Sequence, residues 1–425
     1  MKKSIFILAL LPLLGACSSN DVEPLPAPSG DPNQTLHAVV CELPANEAFA
    51  NNCINDFTFD FLTAVNDNYS SDLVNTKLSG NFVVSPVSAA ISMIMAANFD
   101  DVDGAFRLSL GDALGLEDFE AANSLCGKLL PALQNEHNGG WLRIANSMWH
   151  SPIVDPQQDI CDMLNQTYGA DIACVDFDKD LDAVKKSINA WISQRSGGMI
   201  KSLSLEPVSK TIAYFISAMY FQSGWLNPFD SALTTDATFR GTTGNANVKM
   251  MNAEIRTTGG SLEGYSIVSI PFKNEATRLY LILPPEGTEI SEATARVFEE
   301  GFFDSLKKGM TSVKLNLALP KINIAASLET SDLFEALGIS KRGSFNPLGW
   351  HGEPLGVLAA QDIALQWDEE GTKFAAASVT DLLLGLTTGT QEYHEMHMTI
   401  DRPFLFMIRN DRTNTCLLAG RICNL

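Results

Sequence analysis

The apolar residues near position 60 recur with the period of an α-helix. Their four-residue spacing predicts an amphipathic helix whose buried stripe contains Phe57, Phe61 and Val65. Further along, Ser85-Pro86 leads into residues 89–97, which are almost wholly apolar. Because a helix that is apolar on every side has to be buried, we expect this second helix in the middle of the domain.

Strand patterns dominate most of the remaining sequence. Short alternating or continuous apolar runs predict strands at 142–149, 211–221, 248–251, 265–272, 279–284 and 313–320. The run 211–221 is long and aromatic, which is typical of a strand buried on both faces. Helical spacing returns around Ile188 and Trp191. It recurs at 328–338, where Gly338 would cap the helix.

Residues 368–386 have the pattern of a strand, although they lie near the end of the chain. Alternation places on one side Thr372, Phe374, Ala376, Ser378 and Thr380. Small side chains predominate, and no proline between Gly371 and Arg402 removes a backbone N–H that a central strand would donate. Gly371 permits an unusual conformation at the start. By itself, the segment is more typical of an exposed loop.

Composition and charge restrict the size and the partners of the folded part. The chain has 425 residues, of which 45% are hydrophobic. This allows one large domain or two ordinary ones, and no repeat or low-complexity block divides the sequence. The formal net charge is −21. Since nucleic acids and anionic polysaccharides bind through lysine and arginine, neither is expected as a partner.

The first residues predict an export signal. Lys2 and Lys3 precede an apolar run at 5–14 that is too short to span a bilayer. Leu14-Gly15-Ala16-Cys17 resembles the lipobox of bacterial lipoproteins, in which the chain is cut before the cysteine and the thiol is acylated. The alternative is an ordinary cleaved signal with a coincidental cysteine.

The lipobox resemblance implies how the N-terminal region is divided. Residues 1–16 would be a lipoprotein signal peptide, and 17–44 would be the lipidated Cys17 with a proline-rich, flexible tether. The protein would then be an exported bacterial lipoprotein held in a membrane by its lipid. The outer membrane, the cell surface and a periplasm-facing position all stay open.

Seven cysteines remain once Cys17 is acylated, so at least one thiol stays free whichever pairs form. Cys41 and Cys53 are the local pair to test first. Buried, unpaired thiols explain the other cysteines equally well. No CxxC occurs, which argues against a redox site and a zinc ribbon.

Catalytic and metal-binding motifs are missing from the sequence. His394-Glu395-Met396-His397 falls one residue short of the HExxH zinc motif and has no helix signal. The chain has six histidines, but no G-x-S-x-G, no papain-like cysteine signature and no P-loop. We therefore expect a protein that is not an enzyme and that has neither a metal site nor a cofactor.

Several motifs together resemble the serpin family. Glu369-Glu370-Gly371-Thr372, followed by Ala375-Ala376-Ala377-Ser378, resembles the hinge of the serpin reactive-centre loop. Other family positions are matched by Ser85-Pro86, Gly224-Trp225, Asp401-Arg402-Pro403-Phe404 and Gly420-Arg421. The resemblance runs from about residue 45 to the C-terminus, so it implies a single domain at 45–425.

The resemblance implies an α+β serpin fold. It consists of a large central, mostly antiparallel sheet, smaller sheets and about eight or nine helices, with an exposed reactive-centre loop at about 368–400. The implied function is protease inhibition by a suicide substrate. A protease cleaves the loop and forms an acyl-enzyme, and the loop inserts as an extra strand of the main sheet before hydrolysis, as in other serpins.

The family register places the cleaved bond at Gly385–Leu386, with Leu384 as the alternative position. The preceding run Leu382-Leu383-Leu384 favours elastase-, chymotrypsin- or subtilisin-like serine proteases, or papain-like cysteine proteases. The partner would be that protease, in a covalent complex with a monomeric serpin. Heparin is not expected, because 116–120 is acidic where heparin-activated serpins have a basic helix.

The chain departs from the family pattern at three positions. Phe374 replaces a small residue on the side that becomes buried, and overpacking there favours the alternative of a non-inhibitory or substrate-like serpin. Ser217 and Gln361 replace the Asn and His that latch the sheet in many members. A serine and a glutamine can still form a hydrogen bond, so a weaker Ser217–Gln361 latch stays open.

Overall fold

The computed structural model describes most of the chain from residue 52 to the C-terminus. The described residues are 52–68, 80–116, 119–134, 140–198, 200–203, 207, 210–274, 276–357, 359–371 and 393–425. They form eight α-helices: α1 (Asn52–Asn68), α2 (Pro86–Ala97), α3 (Ala105–Ala113), α4 (Glu120–Gln134), α5 (Gln158–Tyr168), α6 (Leu181–Arg195), α7 (Ile290–Phe298) and α8 (Phe302–Lys308).

The same residues form sixteen strands. The first eight are β1 (Phe82–Val84), β2 (Gly140–His150), β3 (Asp171–Cys174), β4 (Ala213–Ser223), β5 (Thr235–Arg240), β6 (Asn245–Leu262), β7 (Tyr265–Pro271) and β8 (Thr277–Leu283). The others are β9 (Thr311–Pro320), β10 (Ile322–Glu329), β11 (Arg342–Gly343), β12 (Leu355–Gly356), β13 (Ala360–Trp367), β14 (His394–Thr399), β15 (Phe404–Asn410) and β16 (Thr415–Ile422).

Helix α2 confirms the prediction of a buried central helix. Ser85 caps it, with its Oγ accepting a hydrogen bond from the Ser88 amide at 3.3 Å, and Pro86 occupies the first turn. All side chains of α2 except that of Ser92 are buried. The helix packs against α1, β4 and β16. It therefore lies at the centre of the main core.

The strands form one large sheet and three smaller ones. The large sheet has nine strands in the order β1-β16-β15-β8-β7-β6-β9-β14, with β5 paired to β6. A second sheet has the order β3-β2-β4, β10 pairs with β13, and β11 pairs with β12. Most of these pairs are antiparallel, and β2–β3 and β9–β14 are parallel. This architecture confirms the predicted α+β fold and the approximate number of helices.

Helix α6 covers the outer face of the three-stranded sheet. An apolar cluster between the helix and the sheet contains Trp149, Ile188, Ile192, Ile216 and Ala218. Trp191 Nε1 donates to Oδ2 of Asp171 on strand β3 at 2.8 Å, and Arg195 pairs with the same carboxylate. The sheet is thus packed between α6 on the outside and the main core on the inside.

In the part of the chain that the structure describes, no helix is long and apolar enough to cross a membrane.

The prediction of a helix at 328–338 was wrong. Strand β10 continues to Glu329, and a short 3₁₀ turn, Thr330–Leu333, follows it. Gly338 does end a turn with a positive φ of 69°. Pairing with β13 along eight residues outweighed the local helical spacing, because ladder bonds and burial depend on a strand that is distant in sequence.

The strand predicted at 211–221 forms as β4, but it is not buried on both faces along its length. Ile216 and Ala218 are buried, whereas Phe215, Ser217 and Met219 are half-buried. The reason is the position of β4 at the edge of its sheet, since among the described residues its ladder runs only to β2.

Candidate functional site at the end of strand β13

Strands β4 and β13 lie on either side of a cleft. Among the described residues no ladder joins the two strands. An isolated bridge between Gly224 and Gly371 connects the segments that follow them. The cleft has a cavity volume of about 40 Å³, and its walls include Ser85, Ser88, Phe215, Ser217, Gln361 and Leu418. Two facing strand edges of this kind can pair with a further strand placed between them.

A tight turn reverses the chain at the end of β13. The backbone N of Asp368 donates to the carbonyl of Gly371 at 2.9 Å, and Gly371 N donates back at 3.3 Å. Oδ1 of Asp368 also accepts a hydrogen bond from Glu370 N at 3.1 Å. Gly371 is antiparallel both to Asp368 and to Gly224. It therefore stands between the ends of the two strands.

Glycine is required at position 371 by the backbone and by its neighbours. The φ angle is +137°, a conformation that residues with a Cβ rarely adopt. A Cβ at Gly371 would lie 2.3 Å from the carbonyl oxygen of Ser223 and 2.5 Å from Cα of Gly224. Both are backbone atoms, so an added side chain could enter only if the strand ends moved apart.

Trp225 ties this turn to the end of β4. Its backbone N donates to Glu370 O at 2.9 Å, and its indole Nε1 donates to Asp368 O at 2.7 Å. Its side chain is fully buried and stacks on Phe272, with ring centroids 4.7 Å apart. A buried indole whose N–H is satisfied holds the turn in one position.

The carboxylate of Glu369 is anchored to two other segments. Lys321 Nζ lies 2.6 Å from Oε2, and Thr234 Oγ1 donates to Oε1 at 2.7 Å. The Glu369 side chain is only 13% exposed. Burial by itself would raise the pKa of Glu369, but the bonds from Lys321 and Thr234 outweigh it and hold the pKa below its usual range.

Lys321 and Thr234 are functional-site residues that sequence reasoning missed. Lys321 follows strand β9, and Thr234 precedes strand β5. Neither belongs to a motif, and neither is near Glu369 in the sequence. Only the packing of the segments after β9 and β13 brings them together.

The structure does not form a Ser217–Gln361 latch. Gln361 Oε1 accepts from Ser85 N at 3.0 Å, and its Nε2 donates to Ser85 O at 2.6 Å. Ser217 Oγ is buried without a hydrogen-bond partner among the described residues. Because the amide of Gln361 matches both backbone groups of the helix-capping residue, it ties β13 to the start of α2 and not to β4.

The other predicted site residues lie outside the described part of the chain. Of the hinge, the structure describes Glu369, Glu370 and Gly371. The remaining hinge positions are Thr372, Phe374, Ala375, Ala376, Ala377 and Ser378. The lipidation residue Cys17 and the reactive-bond residues Leu384, Gly385 and Leu386 also lie outside it. These assignments therefore stay predictions.

Tyr393 precedes strand β14. The guanidinium of Arg256 lies 5.3 Å from the centroid of the Tyr393 ring. His394 and His397 are three residues apart on β14, so a strand directs them to opposite faces. They cannot converge as a helical pair would, and the described residues include no group of three or more side chains arranged to hold a metal.

The proposed pairing of Cys41 with Cys53 concerns side chains outside the described set. Within that set, Cys126, Cys161, Cys416 and Cys423 are free thiols. Burial raises the pKa of Cys126 and of Cys416 to about 12. These two cysteines are therefore protonated at neutral pH and act as small buried hydrophobes.

The family model for serpins (serine protease inhibitor) matches residues 52–425. The chain is a serpin. This serpin is 25% identical over 383 residues to the human leukocyte elastase inhibitor, covering 85% of this chain and 98% of that protein. It is 26% identical to an uncharacterized serpin-like protein of Thermococcus kodakarensis, in a match that covers 100% of this chain and 99% of that protein. Family membership indicates a protease inhibitor and not an enzyme.

Solved serpin structures share the fold. The native state of the thermophilic serpin Tengpin superimposes with a TM-score of 0.75 at 23% identity, covering 88% of this chain and 94% of that one. Thyroxine-binding globulin in complex with thyroxine has the same TM-score at 19% identity, in a match that covers 88% of this chain and 99% of that one. Since a thyroxine-binding globulin shares the architecture, the mechanism has to be argued from the site itself.

Proposed function

We propose that this serpin inhibits its target protease as a suicide substrate. The protease cleaves the segment after Gly371 and stays bound as an acyl-enzyme while that segment inserts between β4 and β13. The observation that carries this proposal is the position of Gly371, which is already antiparallel to Gly224 and to Asp368 at the mouth of the cleft. In this mechanism Gly371 would be the first residue of the additional strand.

The length of the loop suits the cleft. The 14 positions from 372 to 385 would extend about 46 Å at about 3.3 Å per residue. Strand β4 has 11 residues, or about 36 Å at the same rise. Inserted, the loop would pair with β4 on one side and β13 on the other. Roughly ten new hydrogen bonds at about 1 kcal/mol net each favour insertion, before the cost of ordering the loop.

The two bridges at Gly371 also define which residues would meet. One residue on, Thr372 would lie opposite Ser223 and Trp367, and Trp367 is fully buried. Three residues on, Phe374 would lie opposite Phe221 and Leu365. Direct antiparallel partners share a face, so both loop residues would enter the core side.

The experiment is to mix the full protein with elastase, chymotrypsin, subtilisin and papain, and to analyse the products on denaturing gels. Suicide inhibition predicts a boiling-resistant adduct of serpin plus protease and a released C-terminal peptide. The mass of that peptide identifies the cleaved bond, which we place at Gly385–Leu386. Cleavage without an adduct for every protease would contradict the proposed mechanism.

A matched pair of variants tests insertion directly. Thr372→Arg would bring a charge beside buried Trp367, so cleavage should continue while adduct formation is lost. Lys373→Arg changes the next residue, which alternation places on the opposite side, and it should behave like the unchanged protein. Adduct formation by Thr372→Arg would rule out strand insertion.

Phe374 supports a second candidate function, that of a substrate-like or non-inhibitory serpin. Its predicted neighbours are already packed, since Leu365 is 3% exposed and Phe221 makes an edge contact with Phe272 at 4.9 Å. A phenylalanine added there would slow insertion by overpacking. The same gels distinguish the two functions, because a substrate is cleaved without an adduct.

The anchor and the location are separate proposals that rest on the N-terminal sequence. We infer an exported lipoprotein attached to a membrane through Cys17, followed by the proline-rich tether. Labelled fatty acid should be incorporated by the unchanged protein and not by Cys17→Ala. Retention of Cys17→Ala in the membrane fraction would contradict the lipid anchor.

A further inference from the structure

Two buried polar atoms lie side by side on the inner face of the three-stranded sheet without a hydrogen-bond partner. Ser217 of β4 and Asn146 of β2 are direct antiparallel partners, so their side chains project from the same face. Oγ of Ser217 and Oδ1 of Asn146 are both buried and unpaired within the described residues. Asn146 itself is 1% exposed, and its Nδ2 donates to Tyr168 O at 2.8 Å. Buried polar atoms nearly always have a partner, so these two point to a ligand.

Ser217 faces a cleft that has both the room and the polarity to hold water. The cleft volume is about 40 Å³, whereas one water needs at least about 10–15 Å³. Ser85, Ser88 and Gln361 line it together with Ser217. Empty cavities in proteins are apolar, whereas polar cavities of this size hold water.

The hydrogen-bonding capacity of the walls is only partly used. Gln361 uses one lone pair of Oε1 and one N–H of Nε2 on the backbone of Ser85, which leaves one acceptor and one donor. Ser88 Oγ accepts from Ser85 Oγ at 3.0 Å and keeps its own proton for donation. A water in the cleft can therefore find the two to four partners that a buried water requires.

We propose that two or three ordered water molecules occupy this cleft and bridge the hydroxyl of Ser217 to Gln361 and Ser88. The bridge links β4 to β13 and to the start of α2 through solvent, at the level where no direct side-chain bond joins Ser217 to Gln361. The tests of this site need no protease, so their outcome does not depend on the proposed inhibitory mechanism.

The first test compares two variants that each remove one buried, unpartnered hydroxyl. Thr413 Oγ1 is also buried without a partner, but Thr413 does not line this cleft. Removing a truly unpaired hydroxyl is neutral or stabilising, whereas removing a hydroxyl that holds water is destabilising. Ser217→Ala should therefore lower the thermal unfolding midpoint of the full chain, by about 1–2 °C. The control, Thr413→Val, should leave the midpoint unchanged or raise it.

A fall in the midpoint for Ser217→Ala but not for Thr413→Val supports the hydrated site. An unchanged or higher midpoint for Ser217→Ala would overturn it. The second measurement is a high-resolution crystal structure of the full chain, in which ordered density within hydrogen-bond distance of Ser217 Oγ is expected. A cleft without density there would also overturn the proposal, whatever the variants do.

Discussion

The Cα atom of Gly224 occupies the space that a side chain on Gly371 would need, because a Cβ at Gly371 would approach it to 2.5 Å. This close approach places Gly371, four residues after the end of β13, between two strand ends that are otherwise unpaired with each other among the described residues. Under the proposed mechanism, Gly371 would therefore be in place for insertion before any cleavage.

Gly371→Ala should weaken this arrangement. The new Cβ would collide with backbone atoms and would require an unfavourable positive φ, so the strand ends must separate. We expect a loss of stability of about 1–3 kcal/mol and a smaller fraction of protease trapped as adduct. The control is Gly356→Ala, where φ is negative and no atom lies within 4 Å of the new Cβ. Equal effects of the two substitutions would show that the contact at Gly371 does not matter.

Glu369→Gln should remove a pH-dependent part of the stability. The pKa of Glu369 is held below its usual range, so its contribution is present above the ordinary glutamate pKa of about 4.3. That contribution disappears as the pH falls through the lower pKa of the folded state. We expect a loss of about 1 kcal/mol at pH 7, since Lys321 is 37% exposed and the pair is partly screened.

Denaturant unfolding at several pH values checks this prediction. The difference between the unchanged protein and Glu369→Gln should shrink from pH 5 to pH 3. Adding Lys321→Met to both proteins gives a double-mutant cycle, in which the second substitution should cost less when Glu369 is already gone. Strictly additive effects would mean that the two side chains do not stabilise each other.

Phe374→Ala should increase inhibition. Under the proposed mechanism Phe374 would enter opposite Leu365, which is 3% exposed, and removing the ring would relieve overpacking of about 1–3 kcal/mol on insertion. More of the serpin should end as adduct and less as cleaved product, at the same rate of initial cleavage. The measurement is the number of serpin molecules consumed per protease inhibited. An unchanged number would mean that the inserted sheet accommodates the phenylalanine.

Asp56→Asn should stabilise the protein at neutral pH. Burial, followed by the charges of Glu300 and Asp304, raises the pKa of Asp56 in the folded state. A raised pKa means that the protonated carboxyl favours folding and that this contribution is lost as the pH rises through the folded-state pKa. The variant should gain stability at pH 7 and differ little from the unchanged protein near pH 3.

Salt and a second site provide the controls for Asp56→Asn. High salt should shrink the gain, because repulsion between exposed carboxylates is screened. Asp103→Asn makes the same change of net charge in the exposed turn before helix α3 and should give no comparable gain. A gain for Asp56→Asn that persists at pH 3 would contradict the electrostatic explanation.

The sequence alone was sufficient for the family and for the α+β fold. Helix α2 and most strands were predictable because burial leaves a period of 3.6 or 2 in the order of apolar residues. The glycine at 371 was recognisable because its conformation is restricted to one residue type. The helix expected at 328–338 failed because pairing with β13 is a property of two distant segments.

Only the tertiary structure decided the partners at the site. Glu369 binds Lys321, 48 residues earlier, and Gln361 binds the backbone of Ser85, 276 residues earlier. Periodicity records which side of a segment is buried, but it does not record which other segment covers it. Ser217 and Gln361 have compatible chemistry, yet the cleft between β4 and β13 separates them, and the cap of α2 offers Gln361 two backbone groups instead.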